Sequence, residues 1–456
     1  DYLNQIISNV ELSKNYSPSF IKELQDELEE RVSITDIPQY AADDFELILE
    51  QKNTFPPVFY PSERLIKELL SKTLNELRRP PLAMDESGIQ QTAGEESFCL
   101  RHGIRGTVIK AAHATREEII ETIKNLPEQW NPDELILFFH IISQKYWDIT
   151  SDIQFSDVEK QQLIVRLNEQ DVFGKTIAYI AAQNGHAEAI RVLVKFGANL
   201  NTPLNDGATP MFIAAHNGHA EAIRVLAECK ANVNTPLNDG ATPVWIAAQN
   251  GHAEAIRVLA ECKAIVNTPK NNGATPVYIA AQNGHAEAIR VLADLGVDVK
   301  LSRNDSATPV WIAAQNGHAE AIRVLAECKA NVNTPKNNGA TPVYIAAQNG
   351  HAEAIRALAE CKANVITPWK GKTPVYIAAQ NGHAEAIRVL AECKANVNTL
   401  LNDGATPVYI AAENGHAEAI RVLAECKANV NTTWNDATPV WIAAQNGHAE
   451  AIRVLA

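Results

Sequence analysis

Residues 239–267 read Asp239-Gly-Ala-Thr-Pro-Val-Trp-Ile-Ala-Ala-Gln-Asn-Gly-His-Ala-Glu-Ala-Ile-Arg-Val-Leu-Ala-Glu-Cys-Lys-Ala-Ile-Val-Asn267, and this stretch decides the fold. Thr242-Pro243 predicts the start of a short helix: a threonine oxygen caps the first amides, and a proline at the first helical position gives up an N–H that would be unbonded anyway. Asn250-Gly251 predicts its end, because glycine tolerates the positive φ of a helix terminus. A second helix is expected from about His252. Its Ala255, Ile256, Leu259 and Ala260 fall at i, i+1, i+4 and i+5, one apolar stripe. Asn267-Thr-Pro-Lys-Asn-Asn-Gly273 then supplies the turn chemistry of a hairpin finger.

The glycine of Asn-Gly-His-Ala recurs at 185, 218, 251, 284, 317, 350, 382, 415 and 447. A spacing of 32–33 residues sustained nine times implies a solenoid of stacked supersecondary units. The Gly-x-Thr-Pro, Ala-Ala-x-Asn-Gly-His and Ala-Asn-Val-Asn elements resemble the ankyrin repeat. The resemblance covers about residues 170–456, nine repeats. It implies an all-α solenoid of helix-turn-helix units with hairpin fingers, preceded by a separate helical domain. The first unit departs from the pattern with Thr176-Ile-Ala-Tyr179. The last reaches Ala456 inside its second helix and is read as incomplete, since a solenoid end needs a polar cap.

Two departures from the ankyrin pattern stand out. An aromatic residue replaces the usual histidine after Thr-Pro-x: Tyr179, Phe212, Trp245, Tyr278, Trp311, Tyr344, Tyr376, Tyr409 and Trp441. A row in the inter-repeat core is expected, with a ring-stacking ligand stripe as the alternative. The glycine usual after the second helix survives as Gly197 and Gly296. Elsewhere Lys230, Lys263, Lys329, Lys362, Lys394 and Lys427 replace it, which costs on the order of 1 kcal/mol each if they adopt positive φ. Six of the seven cysteines recur at one position, 229, 262, 328, 361, 393 and 426, and are expected to be reduced and mostly buried. The resemblance implies units stacked ~10 Å apart, which sets neighbouring cysteines beyond disulfide reach. The same spacing sets the Gly-His histidines too far apart to share a zinc ion. No metal and no cofactor is expected.

The chain has 456 residues, 46% hydrophobic and 21% charged, with a net charge of −14. Residues 1–170 hold 30 acidic and 17 basic side chains, whereas 171–456 hold 24 and 23. This balance argues against nucleic-acid binding, which needs a basic surface. No apolar run reaches the ~20 residues of a membrane span. Residue 1 is Asp, so the visible start is read as a trimmed or processed end. Residues 1–156 read as an acidic, mostly helical domain, with helices expected from Ser17-Pro18, over about 39–51, and from Pro61. A Gly/Ser/Glu-rich loop is expected over 82–97. Thr115-Arg-Glu-Glu118 and Ser156-Asp-Val-Glu159 are capping boxes. The helix of the second, 157–169, is expected to connect to and cap the array.

Candidate chemistry is confined to the first third. Arg101-His102-Gly103 is similar to the histidine phosphatase signature, but three residues match and residues 106–170 are too short for the remainder of that fold. Cys99 with His102 or His140 is a candidate nucleophilic pair, oriented by Asp133 or Asp148. His102, His113 and His140 resemble a phosphohydrolase metal set, except that Ile141 stands where that family has Asp. The plainer reading is a helical domain with ordinary histidines.

The array is expected to bind a protein on its concave and finger face, as a monomer. Gln249, Gln282, Gln315, Gln348, Gln380 and Gln445 make a uniform row along the first helices, which His216 and Glu413 interrupt. Odd residues on the fingers are Lys300, Arg303, Trp369, Lys370, Lys372 and Trp434, and Arg and Trp are the types enriched at binding hot spots. Near-identical repeats behind a unique acidic domain are similar to bacterial ankyrin effectors secreted into the cytoplasm of a host cell. An adaptor capturing a host protein is therefore expected. The alternative is an array that targets a cryptic enzyme in residues 1–156.

Overall fold

The computed structural model describes residues 115–126, 135, 136, 138, 139, 142, 153–401 and 404–456. The chain divides into two compact units, Asp1–Lys110 and Ala111–Ala456. The first lies wholly outside the described residues, and with it the helices expected before residue 110 and the 82–97 loop.

Each repeat is built as its sequence dictates. In the third unit Thr242 Oγ1 accepts the Trp245 amide at 3.2 Å, and Pro243 opens the helix Pro243–Gln249. The second helix, Ala253–Glu261, buries Ala255, Ile256, Val258 and Leu259. It ends in a Schellman arrangement: Lys263 N donates to Ala260 O and Ala264 N to Leu259 O, both at 2.9 Å. Lys263 is thereby held at φ 66°, and its five counterparts at 64–66°. Six lysines thus sit where glycine is favoured, each strained by on the order of 1 kcal/mol.

Stacking buries both faces of this unit. First helices lie side by side along one layer and second helices along another, with Ala247 and Ala248 fully buried between them. Eight members of the aromatic row are buried. Trp245 and Trp311 also donate their indole N–H to Ala274 O and Ala340 O of the following units, at 2.9 and 3.0 Å. Trp441 differs: it is 54% exposed, with no unit beyond it among the described residues. The array cysteines occupy the C-cap position after the second helix, so they are half-buried rather than buried as expected. Partial burial pushes their thiols up, away from the reactive thiolate.

Fingers come in two geometries. Most turn through Asn-Asp-Gly or Asn-Asn-Gly, with the glycine at positive φ. The two fingers that lack one residue close as tight hairpins, Trp369 bridging Lys372 and Trp434 bridging Ala437. Their central pairs, Lys370-Gly371 and Asn435-Asp436, all have φ between 47° and 79°. Two consecutive positive φ values mark a type I′ turn, whose twist matches a two-residue hairpin. The 32-residue spacings and the tryptophan fingers therefore have one cause.

Upstream, Arg116–Lys124 carries the expected capping box, Thr115 N donating to Glu118 Oε2 at 2.8 Å. So does Asp157–Leu167, with Ser156 N to Glu159 Oε2 at 2.7 Å. This second helix caps the first repeat: Asn168 Nδ2 donates to Gly197 O at 3.1 Å and Asn168 Oδ1 accepts Asn199 N at 2.7 Å. Phe139 and Phe155 also meet Phe196, at centroid separations of 5.9 and 6.1 Å. Described residues ahead of 157 thus touch the first repeat, through Phe139 and Phe155. A fragment of residues 111–456 is expected to give a folded helical circular-dichroism spectrum. A fragment starting at 171 uncovers Phe196 and should melt lower by about 2 °C or more. Equal melting temperatures would refute the capping role.

Candidate functional site

The Asn-Gly-His triplet makes the joints of the rod. In the third unit Asn250 Nδ2 and His252 Nε2 both reach His216 O, the last carbonyl of the preceding first helix, at 2.8 and 2.9 Å. The same pair of bonds recurs at Gln249 O from Asn283 and His285, and at Glu413 O from Asn446 and His448. A carbonyl only accepts, so each of these rings carries its proton on Nε2. The glycine between them is required as well. Gly251 has φ +75°, and a Cβ there would lie 2.6 Å from His285 Nδ1. In the sequence these histidines offered themselves only as metal ligands, because the partners of the joint lie 33–36 residues away.

The Gln row and the fingers share one face. Lys175 Nζ lies 3.3 Å from Gln183 Oε1, and Lys372 Nζ 2.9 Å from Gln380 Oε1. Opposite, on the second helices, arginines bridge to the next unit's glutamates: Arg224 to Glu261 and Arg290 to Glu327, both at 2.9 Å. That face is a compensated ladder of exposed pairs, each worth little on its own.

The odd positions divide by what they touch. Arg303 binds Asp305 at 2.5 Å and lies 5.4 Å from the Tyr278 ring centroid. This contact holds the Asp305 carboxyl well below the usual carboxylate range. Trp369 is half-buried, edge-on to Tyr344 at 5.1 Å, and donates its indole N–H to Asn338 O. Trp434 is likewise edge-on to Tyr409 at 5.0 Å. Lys370 is exposed, with its ammonium 4.7 Å from the Trp369 centroid. Lys300 is exposed on its finger. His216 and Glu413 are half-buried in the Gln row, and His216 Nδ1 lies 2.8 Å from Asn217 Oδ1. Thus the fingers hold Arg303, Trp369 and Trp434 against the array rather than projecting them freely. Cys99, His102, His113, Asp133, His140 and Asp148 lie outside the described residues. Among the described residues no cluster of three or more His, Cys, Asp or Glu could hold a metal ion, and no helix is long and apolar enough to cross a membrane.

Two predictions follow from the joint. Burial, opposed by the backbone hydrogen bond, holds His252 and His285 below the ordinary histidine range. The unfolded chain therefore takes up these protons first as pH falls through about 6.5, so stability is full above that value and declines below it. Melting should drop between pH 7.5 and 5.5, and less so in His252→Gln, whose amide can keep the bond. A flat profile over that interval would contradict this. Gly251→Ala should cost at least about 1 kcal/mol in denaturant unfolding, from its φ alone.

A family model described as "Ankyrin repeats (3 copies)" matches residues 155–237, 229–303, 296–368 and 375–456. The chain is similar to a solved structure titled "Crystal structure of human ASB11 ankyrin repeat domain", at 25% identity and a TM-score of 0.44. The match covers 49% of this chain and 99% of that one. No curated protein matches.

Proposed function

From the premise that the chain belongs to the ankyrin-repeat family, we propose that it is a non-catalytic adaptor that a bacterium secretes into a host cell, where the array captures a host protein. Ankyrin repeats are a protein–protein interaction module, and that much needs no proposal. The further reading assigns the contact to the concave and finger face, with specificity at Lys300, Arg303, Trp369, Lys370, Lys372 and Trp434 and at the row breaks His216 and Glu413. The observation that carries it is the shared face defined by Lys372 and Gln380, 2.9 Å apart. Rows of identical residues cannot mark one place on a repeating rod, and only positions that differ can. On the second helices arginines and glutamates of successive units pair with each other. Delivery to a host rests on the architecture, a unique acidic segment ahead of near-identical repeats.

Proximity labelling in host cells, comparing the full chain with one carrying Arg303→Ala and Trp369→Ala, tests capture and place together. With the partner in hand, either substitution should weaken binding at least tenfold, equivalent to ~1.4 kcal/mol. Gln282→Ala or Gln348→Ala should change it far less. Both tryptophan and arginine variants must melt within a few degrees of the parent, because Trp369 also packs on Tyr344. Equal small losses at every position, measured by calorimetry, would refute specificity at the fingers.

A further inference from the structure

Charge on the fingers is sorted along the rod. The four central fingers, residues 264–273, 297–306, 330–339 and 363–372, contain six cations and two carboxylates. The two fingers before them (198–207 and 231–240) and the two after (395–404 and 428–437) each contain one carboxylate and no cation. Three of the six cations occupy one structural position. The residue entering the finger tip is Leu204, Leu237, Lys270, Arg303, Lys336 and Trp369 in successive units. Lys270 stands 4.8 Å from the centroid of Trp245, Arg303 5.4 Å from Tyr278 and Lys336 4.7 Å from Trp311. Each cation therefore rests on the aromatic ring of its own first helix, and the rings set the cations in a row, one per unit.

Two carboxylates serve these three cations. Asp239 pairs with Lys270 at 2.6 Å, and Asp305 with both Arg303 and Lys336, at 2.5 and 2.8 Å. Lys300, Lys370 and Lys372 have no carboxylate within salt-bridge distance among the described residues. The row is held in place yet left with excess positive charge. Side-by-side helices pack 8–10 Å apart, whereas an extended polypeptide rises ~3.3 Å per residue. Three residues of an extended chain thus span one unit. Duplex nucleic acid, with a charge every ~1.7 Å along its axis, does not match this pitch. The row's neighbours are also apolar, Leu237 on one side and Trp369, edge-on to Tyr344, on the other.

We propose that the central fingers bind an extended, acidic polypeptide segment of the partner, with carboxylates at about every third residue meeting Lys270, Arg303 and Lys336 and apolar residues flanking them. This deepens the adaptor reading and rests on it. The test displays random peptides of about twelve residues, long enough to cross four units at ~3.3 Å per residue, and selects them on the full chain. The enriched peptides should carry Asp or Glu at every third position. Replacing those acids by Asn or Gln should cost at least tenfold in affinity, a readout that leaves the protein unaltered. The triple variant Lys270→Gln, Arg303→Gln, Lys336→Gln should lose binding to the same extent while melting like the parent. Enriched peptides without acidic spacing, or unaffected by either change, overturn this inference and leave the adaptor reading standing. No enrichment over a blank surface overturns both. Tighter binding of a single-stranded DNA oligonucleotide than of the selected peptides would move the surface to nucleic acid and overturn the proposal.

Discussion

One backbone carbonyl per unit holds this rod together. Near the end of the first helix one carbonyl meets the next unit, and at His216, Gln249 and Glu413 it receives two donors. A hydrogen bond is worth about 1 kcal/mol net, and repeated at joint after joint these bonds tie each unit to the next. Its demands propagate. The ring lies against the preceding unit's turn, which leaves no room for a Cβ at that unit's glycine: Gly251 lies under His285. That glycine fixes where the first helix ends, and so fixes the 32–33-residue period. No unit can bury both its faces alone, and stability becomes a sum over neighbours.

The period, the caps and the class of fold were legible because they are local: Thr-Pro, Asn-Gly and an apolar stripe each act within a few residues. The buried aromatic row was legible for the same reason, since every second-helix stripe needs a facing surface. What pattern reading missed depends on contacts a full unit away. His252 is an unremarkable polar residue until His216 O is placed against it. The cysteines recur with the regularity of core residues, yet they stand at a helix end where the chain leaves the core. The lysines at positive φ were visible as departures, and only the backbone showed that the strain is accepted.

At the candidate site the odd residues were legible as interruptions of a row, but their number was not. Arg303 drew attention because its finger differs throughout. Lys270 and Lys336 did not, because they sit in fingers that otherwise repeat. Aligning the aromatic platforms shows that all three share one place in three successive units. Similarly, the two tryptophans read as projecting anchors, whereas each rests edge-on against a tyrosine. A tryptophan so placed presents a fixed edge, and little side-chain entropy remains for a partner to remove.

Identical joints also bear on how such a chain can change in length. Excising or inserting one whole period rejoins two surfaces that already fit, so the solenoid gains or loses a unit without a new interface to optimise. The tip residues are not interchangeable in this way. Loss of the unit bearing Arg303 would bring Lys270 and Lys336 into adjacent positions, and insertion of a leucine-tipped unit would split them. Unequal exchange between near-identical repeats would then re-space the recognition pattern while the scaffold stays sound, coupling a change in copy number directly to a change of ligand.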